Sequence, residues 1–347
     1  MVYWRAMDDS LRARLRRHAR FERAIRDCLD GLDYLHVDTP VLAPSLIPEP
    51  TIEVFQTEYL SSRGRGPELW LVPSPELWMK RLLGRGSGDI YQIARCFRNG
   101  DFGGPAHNPE FRLLEWYTTR GGYMASIDVA ESLFSRLLEA GRSEGWFAAD
   151  PGREDRLSPP FARLSMEEAF RRFAGIELSR CQNVQSMRAA GREAGIGMPA
   201  DCTWEQAFHV AFLSAVEPAL PRGKPLVLTD YPALVPTTAR RKPGTPWAER
   251  WELFVDGVEI ANCYTEETDS ASLERLLQDE DARKKGALVP HRTDWDLARA
   301  FPAGFPVVSG AALGVDRLEM VFLGERSLEG VIVFPFSAIV PSQSGTS

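Results

Sequence analysis

No stretch of this 347-residue chain approaches the roughly 18 uninterrupted apolar residues that a membrane-spanning helix needs. The N-terminal MVYWRAMDDSLRARL gathers charge before any apolar run develops, which argues against an export signal. The five cysteines, Cys28, Cys96, Cys181, Cys202 and Cys263, lie far apart and form no CxxC pair. That pattern argues against a zinc ribbon or a disulfide framework and fits a reducing, cytoplasmic setting. Bulk positive charge is missing too: 41 basic against 48 acidic residues leave a net charge of −7, so the surface as a whole is not built to be drawn onto nucleic acid. The signatures GxxxxGK[ST], HExxH and GxSxG are absent, which removes P-loop, zincin and nucleophile-elbow chemistry.

What is present starts with a helix. Leu11, Leu15, Phe21, Ile25, Leu29 and Leu32 recur at roughly helical spacing, with Asp8, Asp9 and Ser10 as caps and Gly31 as a stop. Its other side carries Arg12, Arg14, Arg16, Arg17, Arg20, Arg23 and Arg26, either a solvated face or a docking surface for an acidic partner. YLHVDTPVL reads as a strand broken by Pro40, which belongs at an edge or an interface. Residues 68 to 73 read as a strand, and SPELWMKRLL as a helix with Ser74 at the cap, Pro75 in the first turn and Glu76 beside the positive end of the dipole. Residues 123 to 146 look helical, 151 to 160 look like a polar connector, and 163 to 220 are mostly helical. KPLVLTDYP, RWELFVDGVEIANCY and GFPVVSGAALGV return to strands, a helix starts at Asp316, and PSQSGTS is a fraying tail.

Two segments carry most of the chemistry. YQIARCFRNGDFGGPAHNPEFRLLEWY reads as a strand, a glycine-rich loop and a returning strand that presents Glu110, Phe111, Glu115 and Tyr117. In WELFVDGVEIANCYTEE, Glu252 and Glu259 lie on either side of a VDG turn, which can bring both carboxylates to one sheet face, where magnesium shared with phosphate would relieve their repulsion. The alternative is a pair of exposed strand glutamates. Asn262, Tyr264 and Glu266 fall at period two, as do Glu115 and Tyr117, so each set shares a face. Such an acid and tyrosine cluster suits a ligand bearing an ammonium group. Arg98 and Arg317 suit the two ends of a triphosphate, although either taken singly is as readily a surface salt-bridge partner. His107 has no second histidine nearby in sequence and reads as a hydrogen-bond donor on the phosphate side, not a metal ligand.

These segments resemble the class II aminoacyl-tRNA synthetases, and within them the lysyl branch. FRNGDFGGPAHNPEFRLLEWY looks like that branch's motif 2, GAALGVDRLEM like its motif 3, and the region of Pro40 like its dimer-forming motif 1. The resemblance implies an α+β catalytic fold, an antiparallel sheet flanked by helices, over residues 1 to 340, with a helical insertion at about 148 to 220, a flexible tail at 341 to 347 and a homodimeric state. It implies ATP and magnesium as cofactors, with Arg98 on the α-phosphate and substrate carboxylate, Phe111 and Arg317 on either side of the adenine, and Arg317 reaching the γ-phosphate. By the same likeness Asn99, His107, Asn108, Ile260 and Gly314 line the ATP pocket, and Glu252 and Glu259 hold the metal. Ser74, Pro75 and Glu76 meet the amino-acid end of the substrate, while Glu115, Tyr117, Asn262, Tyr264 and Glu266 wall a lysine-like side chain, with Ala312 on the pocket floor.

The helix resembling motif 1 begins within the first dozen residues, so an anticodon-binding barrel ahead of it is not expected. That architecture resembles the elongation factor P–(R)-β-lysine ligases, truncated paralogues of the lysyl branch, and Ala312 fits them where the synthetases carry glycine. The expected substrates are then lysine or (R)-β-lysine and a lysine side chain of elongation factor P. The alternatives are aminoacylation of tRNA or of a carrier protein, and a non-catalytic binding or regulatory protein. The family's Arg-x-Glu is altered here: Gly100 stands at the glutamate position, and Asp101 is expected to supply the carboxylate for the adenine amino group. Cys263 replaces a glycine and Tyr264 a phenylalanine in the expected side-chain wall, and the loop DYPALVPTTARRKPGTPW matches neither relative closely.

Overall fold

The computed structural model describes residues 9 to 100 and 104 to 340. Asp101 and the tail at 341 to 347 lie outside the described residues, as does Asp8 among the expected caps. The strands are β1 (Leu35–His36), β2 (Leu42–Ala43), β3 (Gln56–Ser61), β4 (Gly64–Leu71), β5 (Ile90–Phe97), β6 (Glu110–Thr119), β7 (Ala162–Ser165), β8 (Leu226–Pro232), β9 (Trp247–Val255), β10 (Val258–Thr265) and β11 (Val308–Gly314). The helices are α1 (Asp9–Gly31), α2 (Glu76–Leu83), α3 (Ala125–Glu144), α4 (Gly152–Leu157), α5 (Met166–Phe173), α6 (Val184–Glu193), α7 (Trp204–Ala211), α8 (Ser270–Lys284), α9 (Val315–Leu323) and α10 (Phe336–Ile339). Eight strands form one sheet in the order β1-β5-β6-β11-β10-β9-β8-β7, and β2-β4-β3 form a second, small sheet. The six central strands are antiparallel, while β1 and β7 close the two edges with parallel pairs.

Strand alternation sorts the large sheet into two faces. One face sends Leu114, Trp116, Trp251, Leu253, Cys263, Ala311 and Leu313 into a core closed by Phe21, Ile25 and Leu29 of α1 and by residues of α3 and α9. Phe21 packs there against Trp146 and Phe322. The apolar stripe of α1 engages only from that turn onward, and Leu15 and Leu32 stay exposed. The other face carries the polar side chains, so a single sheet supplies both the core and the floor of a cleft.

Several local expectations need correction. The strand interrupted by Pro40 is two strands in two sheets, β1 beside β5 and β2 beside β4, because the proline cannot donate to a continuous ladder. Ser74 does not cap α2: Pro75 takes the N-cap position with no side-chain bond to the first turn. The stretch at 151 to 160 is not only a connector, since it holds the short helix α4. The mostly helical region also gives a strand, β7, to the edge of the main sheet. Its helices α5 to α7 enclose a separate core in which Phe170, Phe208 and Phe212 stack, Phe170 and Phe208 with centroids 5.1 Å apart.

Candidate active site

Register places the polar residues in two adjacent rows across the sheet. Glu115 of β6 lies opposite Ala312 of β11, which lies opposite Asn262 of β10, which lies opposite Glu252 of β9. In the next row Tyr117, Gly310, Tyr264 and Arg250 follow the same order. All eight share one face, and the small residues of β11 leave the depression between the larger ones. A Cβ on Gly310 would stand 2.5 Å from a ring carbon of Tyr117 and 2.6 Å from Glu266 Oε1. The hollow therefore depends on glycine there.

Helix α2 closes this hollow on one side. Its Glu76 accepts the Tyr264 hydroxyl at 2.9 Å and the ammonium of Lys80, one turn further along the helix. Lys80 Nζ also lies 2.8 Å from Glu266 Oε2 and donates to Thr238 Oγ1 at 3.2 Å. The approach to Glu266 is close but poorly angled, so both Glu266 oxygens remain buried without an aligned donor, as does Asn262 Oδ1. The Tyr117 hydroxyl donates to Glu115 Oε2 at 3.3 Å. Burial, with the nearby charge of Glu76, drives the Glu115 carboxyl well above the usual carboxylate range. Burial likewise lifts Glu266 to about 8, even though Lys80 pulls the other way. Glu49, at the mouth, is raised to about 7 by burial and then by Glu76. This acid chamber has a volume of about 300 Å³.

A second cavity, of about 130 Å³, adjoins it and is lined by His107, Asn108, Phe111, Glu259, Ile260, Gly314 and Arg317. Arg98, Leu113, Asn262 and Ala312 line both cavities, so Arg98 stands at their junction. Its guanidinium lies 5.2 Å from the Phe111 ring centroid, and its buried Nε has no protein partner among the described residues. Arg317 projects from the first turn of α9 and donates to the carbonyls of Ala106 at 3.0 Å and Glu259 at 3.2 Å. Asn108 lines the cavity with its side chain engaged, donating to the Glu110 carbonyl at 2.5 Å and accepting from the Phe336 N–H at 2.9 Å.

Glu252 and Glu259 come together through a two-residue turn in which Asp256 and Gly257 both take positive φ, 51° and 83°. Glu252 accepts the Tyr231 hydroxyl at 2.5 Å and Arg250 at 2.6 Å. Loss of hydration, then the Glu252 charge, pushes the Glu259 carboxyl up to about 7, although the residue still opens to solvent at the cleft mouth. A second carboxylate that resists ionising until a cation arrives fits magnesium, a hard ion that takes few protein ligands and shares phosphate oxygens. Among the described residues no group of three or more His, Cys, Asp or Glu is assembled for a metal.

Three expected site residues are placed elsewhere, and Glu252 lines neither cavity but a pocket that it shares with Glu259, Tyr231 and Arg250. Asn99 spends its side chain on the Val54 carbonyl at 3.3 Å and on the Gly100 N–H at 2.9 Å and lines neither cavity. Pro75 is buried beneath the start of α2 and lines neither cavity, whereas Ser74 and Glu76 line the acid chamber. Cys263 is not in the side-chain wall: one residue out of phase with Asn262 and Tyr264, it faces the opposite core, its Sγ 4.0 Å from the Tyr123 carbonyl. Conversely, Lys80, Thr238, Gly310 and Arg250 belong to the site and were not singled out from sequence. For Lys80 the signal was available, since Glu76 and Lys80 stand four apart on a helix and must meet. For Thr238 there was none, because its loop has no periodicity.

Comparison with known proteins places this geometry. The family described as tRNA synthetases class II (D, K and N) matches residues 2–338. The elongation factor P–(R)-β-lysine ligase of Yersinia enterocolitica is 34% identical over 333 residues, 93% of this chain and 95% of that protein. The ligase of the same name from Vibrio cholerae is 31% identical over 332 residues, 93% of this chain and 95% of that protein. The lysine–tRNA ligase of Pelotomaculum thermopropionicum is 34% identical over 320 residues, 90% of this chain but 61% of its own length. With nearly its whole length matched, the chain belongs to the class II tRNA synthetases of the D, K and N group.

Proposed function

We propose that this protein activates lysine or (R)-β-lysine with ATP and transfers the aminoacyl group to a lysine side chain of elongation factor P. The observation that carries this reading is the pair of cavities meeting at Arg98, one acid-walled with unsatisfied acceptors, the other flanked by Phe111 and Arg317. Two relatives matched over 95% of their length bear the name of that ligase, which supports the choice of substrate and acceptor. A cytoplasmic setting goes with it, and among the described residues no helix is long and apolar enough to cross a membrane.

In this reading the substrate carboxylate attacks the α-phosphorus of ATP, the bond to pyrophosphate breaks, and an aminoacyl-adenylate remains. The acceptor amine then attacks the acyl carbon, loses its proton and expels AMP. Arg98 would orient the carboxylate and meet the charge that gathers at phosphorus, Phe111 and Arg317 would hold the adenine, and the acid chamber would fix the ammonium groups. Glu252 and Glu259 would hold magnesium, whose chemistry is to neutralise the phosphate charge. Leu35, Leu42, Tyr59 and Leu60 stay exposed on β1 to β3, and we assign the β3 edge of the small sheet, with Tyr59 and Leu60, to a homodimer contact.

The test is ATP–pyrophosphate exchange with α-lysine, (R)-β-lysine and unrelated amino acids. Exchange confined to lysine-type substrates, lowered about 100- to 1000-fold by Arg98→Ala, is the expected result. Exchange that survives Arg98→Ala removes Arg98 from this role. The lysine–tRNA ligase match favours a second reading, aminoacylation of tRNA. Side-by-side transfer of radiolabelled lysine to elongation factor P and to tRNA decides between the acceptors, and absence of exchange with every amino acid points to a binding protein.

A further inference from the structure

The acid chamber already holds a cation of its own. Lys80 is 1% exposed, and its ammonium meets Glu76, Glu266 and Thr238. The ammonium is thus enclosed by the protein's own groups: it donates to Glu76 and Thr238, and Glu266 Oε2 stands 2.8 Å away. Beside it, Asn262 Oδ1 and the Glu266 oxygens are buried and lack aligned donors, so this part of the chamber suits a ligand group that donates. Charge gives the same answer. Six glutamates, Glu49, Glu76, Glu115, Glu205, Glu266 and Glu280, line the chamber against Arg98 and Arg250, and with the Lys80 ammonium behind them its walls stay in acidic excess. A diamino acid brings two ammonium groups, and its carboxylate has Arg98 to face.

We propose that Lys80 is a positioning and specificity-determining residue: a resident ammonium that holds Glu76 and Glu266 in place, and trims the chamber's charge to suit an amino acid with two ammonium groups. The inference rests on the lysine-activating reading above and assigns it a residue that touches no substrate. The groups that face the ammonium are Glu76 on its own helix, and Glu266 and Tyr264 at the end of β10, with Glu115 and Tyr117 of β6 behind them and Glu49 toward the mouth. Burial already lifts the Glu266 carboxyl to about 8 beside Lys80, and loss of the cation raises it further. A protonated Glu266 no longer attracts an ammonium, so the defect is largest at low pH and fades as pH rises.

Lys80→Gln keeps a donor and removes the charge, whereas Lys80→Arg keeps the charge. Both are compared with the unaltered protein in pyrophosphate exchange between pH 6.5 and 9. Lys80→Gln is expected to raise the KM for lysine about tenfold or more at pH 7, with kcat and the KM for ATP within about threefold, and the lysine defect shrinks toward pH 9. Lys80→Arg is expected to keep the pH profile of the unaltered protein. A pH-independent defect, or equal rises in both KM values, overturns the proposal in favour of simple packing. If Lys80→Gln fails to fold, Lys80→Ala supplied with propylammonium replaces it: a lysine KM lowered by the added amine supports the proposal, and no response overturns it. Unaltered protein that exchanges pyrophosphate with no lysine-type substrate fails the activation reading itself, an outcome distinct from normal exchange that ignores position 80.

Discussion

A methyl group at position 310 would meet Tyr117 and Glu266 at well under contact distance, on backbone held by strands on both sides. Overpacking of a rigid wall costs about 1–3 kcal/mol, and here the cost falls on substrate binding. Gly310→Ala is expected to raise the KM for lysine about tenfold or more while the KM for ATP moves little, as pyrophosphate exchange will measure. Across the cleft, Glu259 opens to solvent, yet lost hydration and the Glu252 charge push its carboxyl up to about 7, and a metal binds the ionised form. The magnesium concentration giving half-maximal exchange is therefore expected to fall as pH rises from 6 to 8, and Glu259→Gln should flatten that dependence. A magnesium requirement unchanged in Glu259→Gln would detach this carboxylate from the metal.

At the scale of elements, α1 presents Arg12, Arg16 and Arg23 to solvent without a partner among the described residues, while Arg14, Arg17, Arg20 and Arg26 bind acceptors of the same chain. Charge reversal at Arg16 and Arg20 is expected to slow transfer to elongation factor P several-fold and spare adenylate formation, because the helix lies behind the sheet, on the core face. Equal loss of both steps, read in single-turnover transfer and in exchange, would mean that the helix no longer packs. The mostly helical region has its own core and its own capping boxes at Asn183 and Thr203. Thr203→Ala should cost about 1 kcal/mol of stability in denaturant titration with exchange unchanged. Much of this level was legible in the chain: VDG announces its hairpin, and period two on β6 and β10 separates Glu115, Asn262 and Glu266 from the core. The cap of α2 and the phase of Cys263 were misjudged, the first because proline took the cap and the second because a residue between two wall residues necessarily faces away.

For the whole molecule, burying ionisable groups in a cleft costs stability. Glu266 and Glu49 hold protons in the folded state up to about 8 and about 7, whereas the unfolded chain releases them near the ordinary carboxylate value. The folded state therefore binds more protons across that window, and stability falls as pH rises from about 5 to 8. The ligand-free protein should melt several degrees lower at pH 8 than at pH 5.5, and lysine with magnesium and ATP should restore part of the difference. A melting temperature that rises over this interval would show that these acids are not buried as described. Leu60→Glu on the exposed edge should shift the sedimenting species toward monomer if that edge joins two copies.

The kinds of group present and their phase along each strand are legible in the chain, because side-chain alternation is local and a turn such as Asp-Gly is read from two residues. The chain also carried the family, through motifs that survive as contiguous words. Which rows lie side by side emerges with folding, since register between β6, β11, β10 and β9 is set by pairings up to some 200 residues apart in the chain. That register puts Gly310 beneath Tyr117 and Tyr264, sets Arg98 where two cavities join, and folds Lys80 in among the acids it faces. The charge of the chamber, and so what it admits, is a property of that packing.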